Sequence, residues 1–322
     1  MLNAAIIGCG EMGRIHAECI EKIDGIRNWA FCDLDLSRAE SLRDRFHGAL
    51  ATQYVSEIFS QPAIEVVYIT TQTNSHLSLT LAALQAGKHV LIEKPLAVSL
   101  TEAMQIHQAA EQSNKVVMVG MKFRFYALIQ KARRLINNLF MVSVQVMDDP
   151  WPEHFWANDP VIGGGNVVSQ GVHGSDLLCY LAGGDPRQVF ASGANYHQPT
   201  GVIDNLAATF SFENGVSGSL VVGDTGQPPA LGKFCVQMFG SEGSLLLTER
   251  LTRLAFHPKG KAENLEFHGE EDGFLQENRA LIKSILENAP VPASTWDGYM
   301  AQAMIDAAIR SLKSKKVELV SE

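Results

Sequence analysis

The run Gly8-Cys9-Gly10-Glu11-Met12-Gly13 follows the apolar stretch Ala4-Ala5-Ile6-Ile7 without a break, and few short patterns restrict a fold as strongly. Gly8 permits a tight turn out of a strand, and Gly10 lets the backbone approach a pyrophosphate. Gly13 lets the next helix pack closely on that strand. Free N–H groups at the start of this helix, expected over Arg14 to Ile23, suit a dianionic ligand. A second apolar strand, Trp29-Ala30-Phe31-Cys32, ends at Asp33. An acid about 20 residues beyond the glycines binds the ribose hydroxyls of a dinucleotide. Gly8, Gly10, Glu11, Met12, Gly13 and Asp33 therefore form a cofactor-binding set. Asp33 repels a 2′-phosphate and favours NAD, while Ser37 and Arg38 keep NADP as the alternative.

The alternation continues to about residue 120. Helices are expected at Ser37–Arg45, Val55–Phe59, Ser75–Gln85 (closed by Gly87) and Leu100–Ser113, with strands at Val66–Thr70, Val90–Ile92 and Val116–Val119. Strand and helix in strict turn imply a parallel sheet with right-handed crossovers, a doubly wound domain over residues 1–120. Thr71, Asn74 and His76 follow one strand at its ligand-facing end and are expected to line the cofactor cleft, His76 more in a structural role. Glu93-Lys94-Pro95 ends another strand. Alone it reads as a solvated turn. Beside the glycine signature and a His/Asp helix beyond residue 170, Lys94 instead faces the crevice where such sheets bind ligands.

From about residue 140 the period changes to two at Leu206, Ala208, Phe210 and Phe212, and Asn214-Gly215 marks a hairpin before Val216–Val222. Phe234–Phe239 and Ser244–Thr248 make a second hairpin across Gly240-Ser241-Glu242-Gly243. Strands arriving without helices between them predict an antiparallel sheet in a domain covering 121–322. Its helices are expected at Val172–Leu181, Phe274–Asn288 and Trp296–Leu312, the last able to pack back on the first domain. In the loop Ile162-Gly163-Gly164-Gly165, three glycines allow close approach to a ligand. His173 and Asp176 follow at i, i+3 and share a helix face. In isolation that pair reads equally as a core histidine capped by an acid. Lys122 and Arg124 can contact cofactor or substrate oxygens, and Trp151, Trp156 and Asn158 offer an aromatic sugar platform or plain packing.

Composition narrows the partners. A net charge of −9 and a pI near 5.6 argue against nucleic acid and anionic membranes. No apolar run is long enough to span a bilayer. The first strand begins almost at once, leaving no room for a signal peptide, and the five cysteines form no CxxC. Reduced thiols and a cytoplasmic location are expected. Ten histidines without an HExxH or a compact ligand set imply no metal.

Together these residues resemble the glucose–fructose oxidoreductase / inositol dehydrogenase (Gfo/Idh/MocA) family. The resemblance runs through the glycine loop, Thr71–His76, Glu93-Lys94-Pro95, the glycine-rich approach to His173 and Asp176, and Trp296-Asp297-Gly298-Tyr299. It implies an α/β protein: a Rossmann doubly wound domain plus an α+β domain with a large open antiparallel sheet. That sheet commonly joins subunits, so a homodimer or homotetramer is implied. So is a nicotinamide-dependent reaction at a carbinol carbon of a sugar, cyclitol or related polyol. Carried over by residue, Lys94 becomes the central catalytic group, His173 its partner and Asp176 a supporting or substrate-contacting acid. Glu93 and Lys94 join the cofactor set, while Lys94, Arg124, Trp156, Ser169, His173 and Asp176 form the substrate set. One departure stands out: many relatives carry Asp where this chain has Ser169, which cannot hold a negative charge. Two other readings stay open, a dinucleotide-binding sensor without turnover and an oxidoreductase that recycles a tightly bound cofactor.

Overall fold

The structure, a computed structural model, describes residues 1–160, 163–227 and 232–320; Ile162, expected at the head of the glycine-rich loop, lies outside the described residues. The chain divides into two compact units, residues 1–122 with 274–299 and residues 123–273 with 300–322.

The first unit holds the strands β1 (Leu2–Ile7), β2 (Ile26–Cys32), β3 (Leu50–Thr52), β4 (Val66–Ile69), β5 (His89–Ile92) and β6 (Val117–Val119). Between them run the helices α1 (Glu11–Ile20), α2 (Leu36–Arg45), α3 (Val55–Ser60), α4 (His76–Gln85) and α5 (Leu100–Gln112). All six strands are parallel, in the order β3-β2-β1-β4-β5-β6. Ile6, Val67, Tyr68, Leu91 and Ile92 are fully buried, as expected for strands covered on both faces. The strand order reverses between β1 and β4, and in such sheets ligands bind outside the carboxyl ends of the strands at that point. Helix α1 starts three residues earlier than the spacing suggested, because Gly10 itself is its N-cap and Gly13 lies in its first turn. Asp35 caps α2 by accepting from Ser37 N–H, and Ser99 caps α5 by accepting from Glu102 N–H. The sequence does not locate strand β3, because three residues are too few to display a period.

The second unit carries α6 (Ala127–Leu135), β7 (Leu139–Met147), α7 (Asn166–Ser169), α8 (Gly171–Ala182), β8 (Pro186–Ala194), β9 (Asn205–Phe212) and β10 (Ser217–Gly223). It continues with β11 (Phe234–Gly240), β12 (Gly243–Thr248), β13 (Arg253–Pro258) and β14 (Leu265–His268). Helix α9 (Gly273–Glu287) then falls almost wholly in the first unit, and α10 (Thr295–Ser314) and β15 (Glu318–Leu319) complete the chain. The nine strands order as β14-β13-β12-β11-β7-β10-β9-β8-β15.

This sheet is mostly antiparallel but not wholly so: β7 pairs parallel with β10. The cause is topological. From β7 the chain crosses over through α8 to β8, and two hairpin reversals then bring β10 back in the direction of β7. Register sorts the side chains into two faces. Ala191, Ala208, Leu220, Val144, Val236, Leu247 and Leu254 align strand to strand and are all buried. Gly174 of α8 packs on this row, since a Cβ there would meet Leu220 and Val146 within 3 Å. On the opposite face the row Phe190, Thr209, Ser219, Ser143, Gln237, Leu246 and Ala255 is at least partly exposed and carries no charge.

Candidate functional site

In the first unit the glycine loop is shaped by close backbone contacts. Gly8 has φ +99°, and a Cβ there would lie 2.7 Å from the Thr70 carbonyl oxygen. A Cβ on Gly13 would lie 2.1 Å from the Gly8 oxygen, so the helix sits directly against the loop that precedes it. Thr70 ties the two strand ends together, its hydroxyl donating to the carbonyls of Ile7 (3.1 Å) and Gly8 (2.7 Å). Gly10 differs: nothing lies within 4 Å of its Cβ position, so open space stands over the N-terminus of α1.

Asp33 closes the other side. Its carboxylate accepts from the backbone N–H groups of Cys9 (2.7 Å) and Asp35 (2.9 Å), one on each oxygen. Each oxygen keeps a lone pair for a hydroxyl ligand. A cleft of about 420 Å³ opens here, lined by Cys9, Gly10, Glu11, Arg14, Ser37, Arg38, Ser41 and Leu42. Glu11 is exposed in the first turn of α1 and Met12 is half-buried. An anion cradle at a helix start beside a diol-accepting carboxylate fits a dinucleotide. The cysteines here are inert fillers. Burial, then the Asp33 charge, pushes the Cys9 thiol well up, and the same causes push Cys32 up to about 12.

After β4, Thr71 exchanges a hydroxyl hydrogen bond with Ser75 (2.7 Å), and Asn74 is exposed within a short helical turn. His76 is buried, with its two ring nitrogens 3.0 Å from the Pro95 carbonyl and 3.2 Å from the Thr71 carbonyl. Burial lowers its pKa, and a neutral imidazole has one proton to give, so it donates to one of these carbonyls at a time. His76 thus latches the loop after β4 to the loop after β5.

Lys94 is half-buried where β5 ends. The sequence leaves the direction of Glu93 open; the fold turns it inward. It is 6% exposed, its Oε1 lies 3.1 Å from His16 Nε2, and its Oε2 accepts from the Lys94 backbone N–H at 3.1 Å. Burial pushes the Glu93 carboxyl up, but the hydrogen bond and charge of His16, then the charge and backbone N–H of Lys94, together hold it below the usual range. His16 was passed over in the sequence because nothing local marks it.

In the second unit α7 and α8 meet at Gln170, whose backbone stays right-handed helical (φ −92°, ψ −27°). Ser169 and His173 are both nearly buried on this helical pair. The His173 ring meets the Phe123 ring edge-on (4.9 Å between centroids), and Phe123 in turn packs on Phe234 at 4.5 Å. Asp176 and Arg124 grip each other: Nε lies 2.8 and 3.0 Å from the two carboxylate oxygens and Nη2 lies 2.6 Å from Oδ1. Both are almost wholly buried, and Arg124 also stacks on Tyr180. This grip helps fix the face of α8 that carries His173. Trp156 is 45% exposed at the end of an aromatic series with Phe155 and Trp151.

The glycines of the Gly163–Gly165 loop pack closely on their own chain. A Cβ on Gly163 would fall 2.3 Å from the Ala157 backbone, and one on Gly165 (φ +85°) 2.8 Å from Val202. On the side where a Cβ would stand, these glycines pack against protein.

One histidine cluster was also missed. His197, Asp204 and Asp224 bring ligand-type atoms within 4.8 Å of one another. Yet the Asp204 carboxylate already accepts from the backbone N–H groups of Tyr196, His197 and Gln198 and from the Asn205 amide. Asp224 accepts from Gln198 and Trp151 and meets His197 at 2.8 Å. Carboxylates facing so many N–H donors cross-link loops and suit a cation poorly.

Comparison with known proteins agrees with this geometry. Residues 2–121 match the Gfo/Idh/MocA oxidoreductase family's NAD-binding Rossmann fold, and residues 129–246 match the Gfo/Idh/MocA C-terminal domain. The chain is 26% identical to a myo-inositol 2-dehydrogenase of Thermotoga maritima, covering 98% of this chain and 97% of that protein. It is 24% identical to an NADP(+) scyllo-inositol 2-dehydrogenase of Bacillus subtilis over 98% and 95% of the two chains. A levoglucosan dehydrogenase solved with NADH and levoglucosan superposes over the whole of both chains with a TM-score of 0.91 at 22% identity, a likeness of fold. Among the described residues no helix is long and apolar enough to cross a membrane.

Proposed function

The chain belongs to the Gfo/Idh/MocA family of NAD-dependent oxidoreductases, and from that premise we propose that it transfers hydride between NAD and a carbinol carbon of a cyclitol or sugar-derived polyol, with Lys94 and His173 as its acid/base groups. The observation that carries the reading is the end of β5. Lys94 emerges where β5 ends, next to β4 of the β1/β4 switch point, while the carboxylate of the preceding residue, Glu93, is turned into the fold.

The nicotinamide, when bound, takes up hydride in the oxidative direction and supplies it in the reductive one. Everything else falls to the chain. The Gly10 backbone and the N-terminus of α1 hold the pyrophosphate, and Asp33 holds the adenosine ribose. Lys94 takes the hydroxyl proton as the carbinol carbon is oxidised and returns it in reduction. Lysine is an inefficient base at its ordinary pKa of about 10.4, so desolvation must favour its neutral form. His173, whose ordinary pKa of about 6.5 suits exchange near neutrality, relays that proton or binds the hydroxyl. Ser169 offers a hydroxyl contact to substrate where many relatives would present a carboxylate. Trp156 supplies an apolar face to the ring.

The exposed, uncharged row of the nine-stranded sheet supports assembly into a homodimer or a homotetramer built from dimers. Sedimentation at micromolar concentration tests this, and a stable monomer refutes it. The activity is tested by following nicotinamide absorbance against a panel of inositols, sugars and anhydrosugars. Turnover of at least one polyol is expected. NAD binding without turnover of any of them would favour a dinucleotide-binding sensor instead.

A further inference from the structure

The segment from Asp148 to Asn158 carries Trp156, yet it belongs to no strand and to no helix longer than one turn. Its own backbone bonds close only local turns, Phe155 N–H to the Pro152 carbonyl and Asn158 N–H to the Phe155 carbonyl, both 2.9 Å. Its shape comes from side chains far away in sequence. The Trp151 N–H donates to Asp224 Oδ2 (3.3 Å), and the Trp151 carbonyl accepts from Gln198 Nε2 (3.2 Å). The Trp151 indole N–H donates to Asp148 Oδ2 (3.1 Å), which Lys233 Nζ also meets at 2.7 Å. At the other end, Asn158 Nδ2 donates to Gln198 Oε1 (3.1 Å) and to the Pro152 carbonyl (3.0 Å). Both amides have settled orientations, since the nitrogen of each faces a main-chain carbonyl that only accepts. One Gln198 side chain therefore grips residue 151 with its nitrogen and residue 158 with its oxygen. Gln198 and Asp224 are both buried and bonded to each other, Nε2 to Oδ2 at 2.8 Å, and Asp224 Oδ1 lies 2.8 Å from His197 Nε2. Between the two grips run the rings of Trp151, Phe155 and Trp156, 4.9 and 5.8 Å apart in turn, with Trp156 at the exposed end.

We propose that Gln198 and Asp224 are positioning residues for Trp156: by fixing the main chain at both ends of its segment they hold the indole ready as a platform for the polyol ring. The inference rests on the reading of Trp156 as an apolar face for the substrate and adds what keeps that face still. A ring carried on an untethered turn would have to be ordered when substrate binds, and that entropy would be subtracted from the affinity. Here the ordering is complete on folding. The signature is therefore expected in substrate affinity and not in the chemical step. The arrangement also gives the His197, Asp204 and Asp224 cluster a purpose. Asp204 folds the β8–β9 loop through the backbone N–H groups of Tyr196, His197 and Gln198, and so sets Gln198 in place.

The test compares Gln198→Leu, which keeps the bulk but neither donor nor acceptor, with Asp224→Asn. The amide oxygen of the latter can still accept from Gln198 and Trp151 while its nitrogen faces His197. Two readouts are taken: steady-state kinetics with myo-inositol and NAD, and the fluorine NMR spectrum of protein labelled with 5-fluorotryptophan. The four tryptophan signals are assigned by Trp→Phe variants. In Gln198→Leu the Trp156 signal should move toward that of a free tryptophan while those of Trp29 and Trp296 hold. KM for myo-inositol should rise about three- to tenfold, with kcat and NAD affinity within about twofold of the parent. Asp224→Asn should keep both the signal and KM near the parent. In a Trp156→Ala background Gln198→Leu should change KM by less than about twofold, because no ring remains to be positioned. An unmoved Trp156 signal in folded Gln198→Leu overturns the proposal, as does a rise in KM that persists in the Trp156→Ala background. If Gln198→Leu does not fold, Asn158→Ala, which releases one of the two grips, should move the Trp156 signal in the same direction, and no movement there overturns the proposal equally. A parent that does not turn over myo-inositol counts against the activity on that polyol alone, since the fluorine spectrum still decides whether Gln198 and Asp224 hold the ring.

Discussion

The two glycine-rich loops of this chain look alike in sequence and are used in opposite ways. At residues 8–13 the glycines at both ends are squeezed by backbone, and the middle one, Gly10, faces open space at a helix N-terminus. At residues 163–165 the vacated volume is occupied by Ala157, Val168 and Val202. One loop is tight so that something else can come near; the other is tight so that the chain can come near itself. Glycine content alone does not separate these uses. The neighbour that would meet a Cβ does.

The comparison can be broken by substitution. The largest effect is expected beside the open loop. Lys94→Ala should lower kcat by roughly 10²–10⁴-fold, the usual contribution of an acid–base group, with NAD affinity little changed. His173→Ala, beside the packed loop, should divide its loss between kcat and KM in steady-state assays. If Lys94→Ala instead abolishes NAD binding in a folded protein, the lysine belongs to the cofactor site and the assigned chemistry fails.

Next in size is Gly10→Ala. The free protein has space for the methyl group, so the melting temperature should hold, but the pyrophosphate needs that space and NAD affinity by calorimetry should fall at least about tenfold. An unchanged affinity would mean the open space is not the cofactor's. Asp33→Ser should then narrow or invert the preference for NAD over NADP, because the charge opposing a 2′-phosphate is gone while Arg38, Ser37 and Ser41 still line the cleft. Equal affinities of the parent protein for the two cofactors would sink this claim.

Gly163→Ala should do the reverse of Gly10→Ala. A methyl group 2.3 Å from the Ala157 backbone overpacks the loop at a cost of about 1–3 kcal/mol, a drop of several degrees in melting temperature, with NAD affinity intact. Loss of NAD binding without loss of stability would reverse the roles given to the two loops.

The smallest effect concerns acid stability of the loops around the packed region. Burial raises the Asp204 carboxyl, but its backbone N–H bonds outweigh this and depress it overall. A depressed carboxylate contributes stability that is present above its unfolded pKa, about 3.9, and is lost as pH falls through the folded value. Melting temperature should therefore fall with acid below about pH 4 in the parent, and more shallowly in Asp204→Asn, which starts lower at neutral pH. Parallel slopes for the two proteins would remove Asp204 from the account.

What was legible in the sequence follows the range of the signals. The doubly wound sheet was legible because strand, turn glycine, helix and Asp33 lie within a few dozen residues of one another. The NG turn between β9 and β10 was equally local. The grip of Arg124 on Asp176 was not legible, because residues 52 apart carry no mark of their pairing, and each reads as a group for substrate or for a nearby histidine until the partner is seen. His16 and Asn278, 262 residues apart, are the extreme case. Strand β7 failed as a pattern for another reason: Phe140 and Met141 are both exposed, so its alternation is broken at the start. The mixed character of the large sheet depended on a crossover, which periodicity does not encode.

The discontinuity of the first unit has a consequence for biosynthesis. Its last contribution, residues 274–299, arrives after the whole run from 123 to 273. A chain leaving the ribosome at a typical rate of about 5–20 residues per second has every parallel strand of that unit in hand well before α9 emerges. During that interval the face of α1 bearing His16 awaits both its hydrogen-bond donor and the Phe274 ring. Nascent protein thus passes through a stage in which all six parallel strands have been synthesised while His16 still lacks its α9 contacts, and a truncation near residue 270 would leave those contacts unmade.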